Sequence, residues 1–480
     1  MCSFAAPTAR SVRGRGTSRL AAVALVSGIV AASALTAAGP ASAGEAPPQS
    51  RAGAGATMGG LKTFGAAVVH DGGQDQQVSA GLFEMSVDGG GTLQTYCVDL
   101  YNPTQRDAKY HETPWSGTSL GANKDAGRIR WILQHSYPQV NDLAALAEAA
   151  GIHGGLTEQD AAAGTQVAIW RYSDGVDVDA VDPQAEQLAD HLFKSARQTS
   201  EPAASLTLDP PAVSGHPGEL LGPVTVRTGA AGVAVSPPAD AAMSGVRIVG
   251  KDGKPVITAA DGTQLFFAVP EGAAAGSAQL TVQASTTVPV GRAFTSDSRS
   301  QTQILAGSSE STVSATASAT WAARGPIPAL SAKEDCVKGG VDITAVNRGD
   351  QPFTFELMGT AHSVPAGASR TVTMPLQEDQ PYDVTITGAA GLSQRFTGVL
   401  DCRTRGGTTT LSTQTVAEPS PATVGGSTGT AGSSGSGGPT DLADTGGSTL
   451  TPLIAGSAIG LVVIGGAVLV LLRRREADQG

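Results

Sequence analysis

Residues 157–172, TEQDAAAGTQVAIWRY, constrain the fold more than any other stretch of this chain. Thr157 and Asp160 make a capping box, since each side chain reaches the other's free backbone N–H. On the helix that follows, Gln166 shares a face with Ala162, Ala163, Ile169 and Trp170, its i±3 and i±4 neighbours. A carboxamide on an apolar stripe is costly unless something satisfies it. The second singular stretch is Tyr96-Cys97-Val98-Asp99-Leu100, because no other cysteine lies between Cys2 and Cys336.

The N-terminus explains why Cys97 stands alone. Arg10, Arg13, Arg15 and Arg19 form a basic region, residues 20–38 are apolar, and Ala41-Ser42-Ala43 fits an A-x-A cleavage site. Residues 1–43 therefore read as a secretory signal peptide, with mature protein starting near Gly44. Cys2 leaves with that signal, so three of the four cysteines reach an oxidising exterior. Cys336 and Cys402 flank one β-rich segment and are expected to form a disulfide. Cys97 is left over: an intermolecular bridge, a buried inert thiol, or a thiol put to chemical use.

Residues 44–58 are rich in Ala, Gly and Pro and are expected to be a disordered spacer. Phe83, Met85 and Val87 then alternate with Glu84 and Ser86, residues 88–91 (DGGG) turn, and residues 92–100 return, which puts Cys97 on a strand. Helices are predicted over 125–136, 142–150 and 157–172, and another from Asp182-Pro183. A hairpin followed by helices predicts an α+β domain over 59–203. Residues 204–325 carry short Val/Thr/Ala segments at 224–226, 265–267 and 280–282, broken by Asp252-Gly253 and Asp261-Gly262. Residues 326–405 repeat the style at 341–346, 353–357, 370–374 and 382–386. Both read as all-β, immunoglobulin-like sandwiches. A Cys336–Cys402 bridge closes a loop of about 65 residues, worth about 4 kcal/mol on the chain-entropy account.

Residues 406–441 are a Gly/Ser/Thr linker with an r.m.s. span of roughly 35 Å. Roughly twenty apolar residues at 453–472 suffice to cross a bilayer as one transmembrane helix, and Arg473-Arg474-Arg475 holds the tail inside. The predicted architecture is thus multidomain: α+β domain, two β modules, linker, span.

Composition narrows the function. A net charge of −11 with no basic cluster in the mature region argues against nucleic acid. The seven His lack Cys/His spacing for zinc, and no G-x-x-x-x-G-K loop appears, so neither metal nor cofactor is implied. Cys97 with His111 or His153 would make a protease or transpeptidase dyad, but nothing around either His recommends it. Lys251, Lys254 and Asn347 are available for isopeptide cross-links, without a motif that fixes a pair.

Leu442-Ala443-Asp444-Thr445-Gly446, followed by the apolar span and the triple Arg, resembles the cell-wall sorting signal of Gram-positive surface proteins, in the LAxTG form of high-GC species. That resemblance implies a sortase cutting between Thr445 and Gly446 and joining Thr445 to peptidoglycan. Membrane contact is then transient, and the destination is the cell surface. Residues 59–203 in turn look like a thioester domain of such adhesins, on the strength of Tyr96-Cys97-Val98-Asp99 and the T-Q-x-A motif of Thr165, Gln166, Val167 and Ala168, extended by Ile169-Trp170.

The residue types suit that chemistry. A carboxamide becomes an acyl group by losing ammonia, and a thiolate is the nucleophile to displace it. The product survives only if water is kept out. Tyr96, Trp131, Trp170 and Tyr172 are candidate walls, and Asp99 either orients the site or is an ordinary strand-end carboxylate. The implied function is single-turnover covalent capture of an amine-bearing ligand, a protein lysine or polyamine-like group, by Gln166. The competing reading is a non-covalent envelope protein in which Cys97 and Gln166 stay unreacted.

Overall fold

The computed structural model describes residues 51–403, apart from 72 and 389–391, and these belong to one compact unit. Two long strands, β1 (Gly55–Asp71) and β2 (Gln74–Val87), pair antiparallel from Ala56↔Val87 to Asp71↔Gln74. β3 (Thr92–Cys97) returns from the Gly89-Gly90-Gly91 turn, where all three glycines hold positive φ. β4 (Lys109–Thr113) precedes three helices, α1 (Ala126–Gln134), α2 (Leu143–Ala150) and α3 (Glu158–Ser173). A short β5 (Val178–Ala180) and α4 (Pro183–Ser195) follow.

The sheet is finished from far down the chain. β6 (Ala293–Ser296) and β7 (Gln303–Ser308) give the order β2-β3-β7-β6-β4-β1-β5. Since β1 also pairs with β2, six of these strands close into an antiparallel ring.

α3 sits at the centre of the domain, against β1, β2, α1 and α4. Its capping box is formed as predicted. Every residue from 161 to 170 is buried, so the helix has no solvent face in its middle. Small residues permit this: a Cβ on Gly164 would meet the Ala185 carbonyl oxygen of α4 at 2.4 Å. The four predicted helices form within a residue or two of their expected ends, α2 closing on Gly151 in the left-handed region.

Two features depart from the sequence expectations. Residues 53–58, expected in a spacer, are ordered: Gly53 bridges Ser314 and β1 starts at Gly55, with Ala54, Ala56 and Met58 all buried. Their composition suggested disorder, yet small residues alternating at period two fill a tight core. The division at 203/204 is also crossed by hydrogen bonds. Residues 288–309 leave the second segment between its two longest strands, which pair from Gly276↔Trp321 to Thr287↔Glu310, and supply β6 and β7 to the first sheet. Strand character is local in the sequence, whereas partner choice is not.

Apart from that excursion, residues 206–321 form a four-stranded and a five-stranded sheet sharing a core that includes Val224, Val226, Phe267, Leu280, Val282 and Val313. Residues 328–399 make a three-stranded sheet and two hairpins around Leu330, Val341, Ile343, Phe353, Ile386 and Phe396. The described residues are therefore mostly β with few helices, as expected. Cys336 and Cys402 are joined, with their Cα atoms 5.2 Å apart. Cys336→Ser is expected to destabilise the third segment by about 2–4 kcal/mol. Urea unfolding followed at a fluorophore in that segment measures the loss, and an unchanged midpoint would contradict it.

Among the described residues no helix is long and apolar enough to cross a membrane. The signal 1–43, the linker 406–441, the motif 442–446 and the span 453–472 lie outside them.

Candidate functional site

β2 leaves β3 after Thr95, so the backbone of Cys97 has no strand neighbour on that side. Val98 turns the other way, its N–H reaching the Thr302 carbonyl beside β7. α3 fills the vacated side. Gln166 Oε1 accepts the Cys97 N–H at 3.0 Å, and Gln166 Nε2 donates to the Cys97 carbonyl at 2.8 Å. A helix side chain thus stands in for a strand, which resolves the cost of a carboxamide on an apolar stripe. Both residues are 0% exposed.

The thiol sits in the turn that follows. Cys97 Sγ donates to the Asp99 carbonyl at 3.1 Å and accepts the Asp99 N–H at 3.3 Å. Burial, then the charges of Asp174 and Asp99, push the thiol well above its ordinary range, while the Trp170 indole N–H and the Asp99 backbone act against the rise. That indole nitrogen is buried without a hydrogen-bond partner. Asp99 is also raised well above the carboxylate range by burial and by Asp401 and Asp174. Asn102 and the Tyr101 N–H hold its oxygens and oppose the shift.

Thr165, Ala168 and Trp170 are all fully buried on α3, and the Thr165 hydroxyl returns to the Ala161 carbonyl at 2.7 Å. Tyr96 is buried with its hydroxyl on the Tyr137 carbonyl. Trp131 and Tyr172 go elsewhere: Trp131 stacks on His135, and Tyr172 packs against Phe193. Asn347 spends its amide on backbone groups of its own segment, including Ile327, Gly349 and Gln351, while Lys251 and Lys254 are exposed.

Sequence reasoning missed Asp174, Gln303 and Asp401. Asp174 ends α3 and accepts the Leu100 N–H at 3.0 Å. An acid at a helix C-terminus opposes the macrodipole, and that was a usable signal. Gln303 lies directly across from Cys97 and accepts the Thr95 hydroxyl. Asp401, pushed up to about 7 by burial, reaches the site through Thr302. Nothing local marks either of the last two.

His111 does not join Cys97. Its ring bonds Arg51 and Thr295, each at 2.9 Å, and burial together with Arg51 depresses its pKa well below the ordinary value. His153 is exposed. A depressed His is neutral in the fold but takes a proton in the unfolded chain below pH ~6.5, so stability falls as pH drops through that value. The raised Asp99 and Asp401 work in the opposite direction. The difference between wild type and His111→Gln isolates the imidazole: the wild type's margin should shrink between about pH 7.5 and 5.5. Urea midpoints across that range check it, and a constant margin would refute it.

A match to a known family covers part of the chain that carries this geometry. Residues 94–198 match the family model of the thioester domain. The matched segment starts in β3, ends just past α4, and contains both Cys97 and Gln166. Among solved structures, the Bacillus anthracis TIE protein is similar at 14% identity and a TM-score of 0.26, covering 73% of this chain and 64% of its own. This chain thus spans less than two thirds of that protein. The thioester domain of the Enterococcus faecium TIE86 protein is similar at 16% identity and a TM-score of 0.26, with 57% and 98% covered. The E. coli chaperone DraB is similar at 14% and 0.16, with 41% and 98% covered. No curated protein matches. With TM-scores this low, the functional reading rests on the family match and on the site's geometry.

Proposed function

We propose that Cys97 and Gln166 condense into an internal thioester, and that the chain is a secreted, wall-anchored surface protein that uses this bond to capture an amine-bearing ligand. The observation that carries the reading is the reciprocal pair of hydrogen bonds pinning the Gln166 carboxamide onto the residue that bears the thiol. Formation joins Cys97 Sγ to the Gln166 acyl carbon, breaks the C–N bond, and sends the thiol proton out with ammonia. The Cys97 N–H, already on Gln166 Oε1, is placed to stabilise the oxyanion of the tetrahedral adduct. Trp170 and the Asp99 N–H favour the thiolate that burial otherwise disfavours.

Capture reverses the roles. The ligand amine attacks the acyl carbon, the C–S bond breaks, one amine proton passes to sulfur, and Gln166 is left in an isopeptide. One turnover consumes the site, so the chain is a capture device rather than an enzyme. Sortase and peptidoglycan enter as the partners implied by residues 442–446, with the β modules holding the reactive domain away from the wall.

Intact mass tests the bond. The mature chain should be lighter than its sequence by one ammonia and one disulfide's hydrogens, and Cys97→Ala should restore the ammonia. The raised thiol and the satisfied Gln166 amide favour a second reading, a non-covalent envelope protein; a wild type at full mass, save for the disulfide, would select it.

A further inference from the structure

Glu378 and Asp379 lie in the loop between the strands Ser369–Pro375 and Pro381–Thr387, and Asp401 lies beside the disulfide at the end of the same segment. One carboxylate oxygen from each of the three falls within 4.8 Å of the other two. A second observation points to a missing ligand. Asp401 is 8% exposed; its Oδ2 accepts the Thr302 hydroxyl, but its Oδ1 is sealed from solvent with no donor. Glu378 Oε1 takes the N–H groups of Cys402 and Arg403, and Arg299 bonds the Asp379 carbonyl rather than its carboxylate. Among the described residues, no Lys or Arg side chain is found in a salt bridge with any of the three. Three acids drawn together, one of them with a buried oxygen that has no donor, call for a cation.

We propose that Glu378, Asp379 and Asp401 bind one calcium ion. The donors are all hard oxygens, the neighbouring Cys402 is committed to a disulfide, and no His is in the group, which together disfavour zinc. Glu378 and Asp379 are half-buried, so water can complete an irregular shell, which calcium accepts and magnesium resists. An extracellular destination supplies calcium at the millimolar level that weak carboxylate sites use. The ion would brace the 378–379 loop against Asp401. Asp401 in turn holds Thr302, whose carbonyl accepts the N–H of Val98 next to Cys97. This site stands whether or not the thioester forms.

The test uses the purified full chain, stripped with chelator and titrated with calcium, then with magnesium. Calorimetry should find one calcium per chain, and the melting temperature of the described unit should rise by a few degrees at about 5 mM calcium. Glu378→Gln and Asp379→Asn should each weaken binding at least tenfold. In chelator those variants should melt no lower than the parent, because each relieves carboxylate repulsion; in calcium they should melt lower. A purely structural role for the acids cannot produce that crossing. Absence of heat and of any melting shift overturns the site. So does an unaltered calcium response in both variants, and so does an equal response to magnesium.

Discussion

Gln166→Ala should abolish covalent incorporation of methylamine while leaving a thiol at Cys97. The wild type, with its bond closed, should take up one amine per chain and expose one thiol as it does so. Cys97→Ala should also take up none, for the complementary reason that no activated acyl group forms. The three proteins differ in thiol titre before amine is added: none reactive in the wild type, one slow thiol in Gln166→Ala, none in Cys97→Ala. The thiol of Gln166→Ala should label slowly even under mildly alkaline conditions, because burial and the charges of Asp174 and Asp99 hold its pKa up. Relative to the chain with its amide unreacted, Gln166→Ala also strands the Cys97 N–H and carbonyl in a site without solvent, at a cost of roughly 2–4 kcal/mol. Incorporation into Gln166→Ala at the wild-type stoichiometry would place the reactive acyl group elsewhere. Fast alkylation of native wild type at Cys97 would contradict a closed bond.

What the sequence made legible was local. The capping box at Thr157 and Asp160 and the start at Asp182-Pro183 act within a few residues and form as expected, and Asp142 and the left-handed Gly151 bound α2 by equally local means. Gln166 was legible for a different reason: a polar side chain on an apolar stripe announces a partner, and Cys97 supplies it through its backbone. The alternation in Ala54, Ala56 and Met58 was present but hidden by composition, since alanine counts towards disorder and towards tight cores alike.

Partnership over distance was not legible. β7 lies beside β3 although about 200 residues separate them, and nothing in its short sequence QILAGS names that partner. Gln303, across from Cys97, and Asp401, bonded to Thr302, therefore reach the site without any signal of their own. The insertion also changes how the domains relate. With β6 and β7 built into the first ring, the second segment is a structural part of the domain that holds Cys97 and Gln166 rather than a bead that follows it.

Glu112→Ala should be among the most damaging substitutions in the described unit, because Glu112 ties that insertion in place. Its carboxylate accepts Arg292 Nε at 2.7 Å, the Ala54 N–H at 3.2 Å, the Ser205 N–H at 2.9 Å and the Ser205 hydroxyl. The side chains of Glu112 and Arg292 are only 1% and 5% exposed. These contacts join β4, the chain entry, the start of the second segment and the residue before β6. Removing the acid leaves a buried guanidinium and three donors without their acceptor, a loss of about 3–5 kcal/mol. Arg292 retains Glu201 at 2.8 Å, yet that carboxylate is one-third exposed and lies on a different nitrogen. Arg292→Ala should cost less, since Glu112 keeps its three other donors. The double variant should cost less than the sum of the singles, as expected for partners in contact. Urea midpoints give all three values, and additive losses would show that the pair does not act as a unit. If the node holds β6 and β7 against β3, Glu112→Ala should also lower the fraction of chains missing one ammonia, because Cys97 then loses its neighbour Gln303. A destabilised variant that still closes the bond fully would mean that α3 and β3 alone align the thiol and the amide.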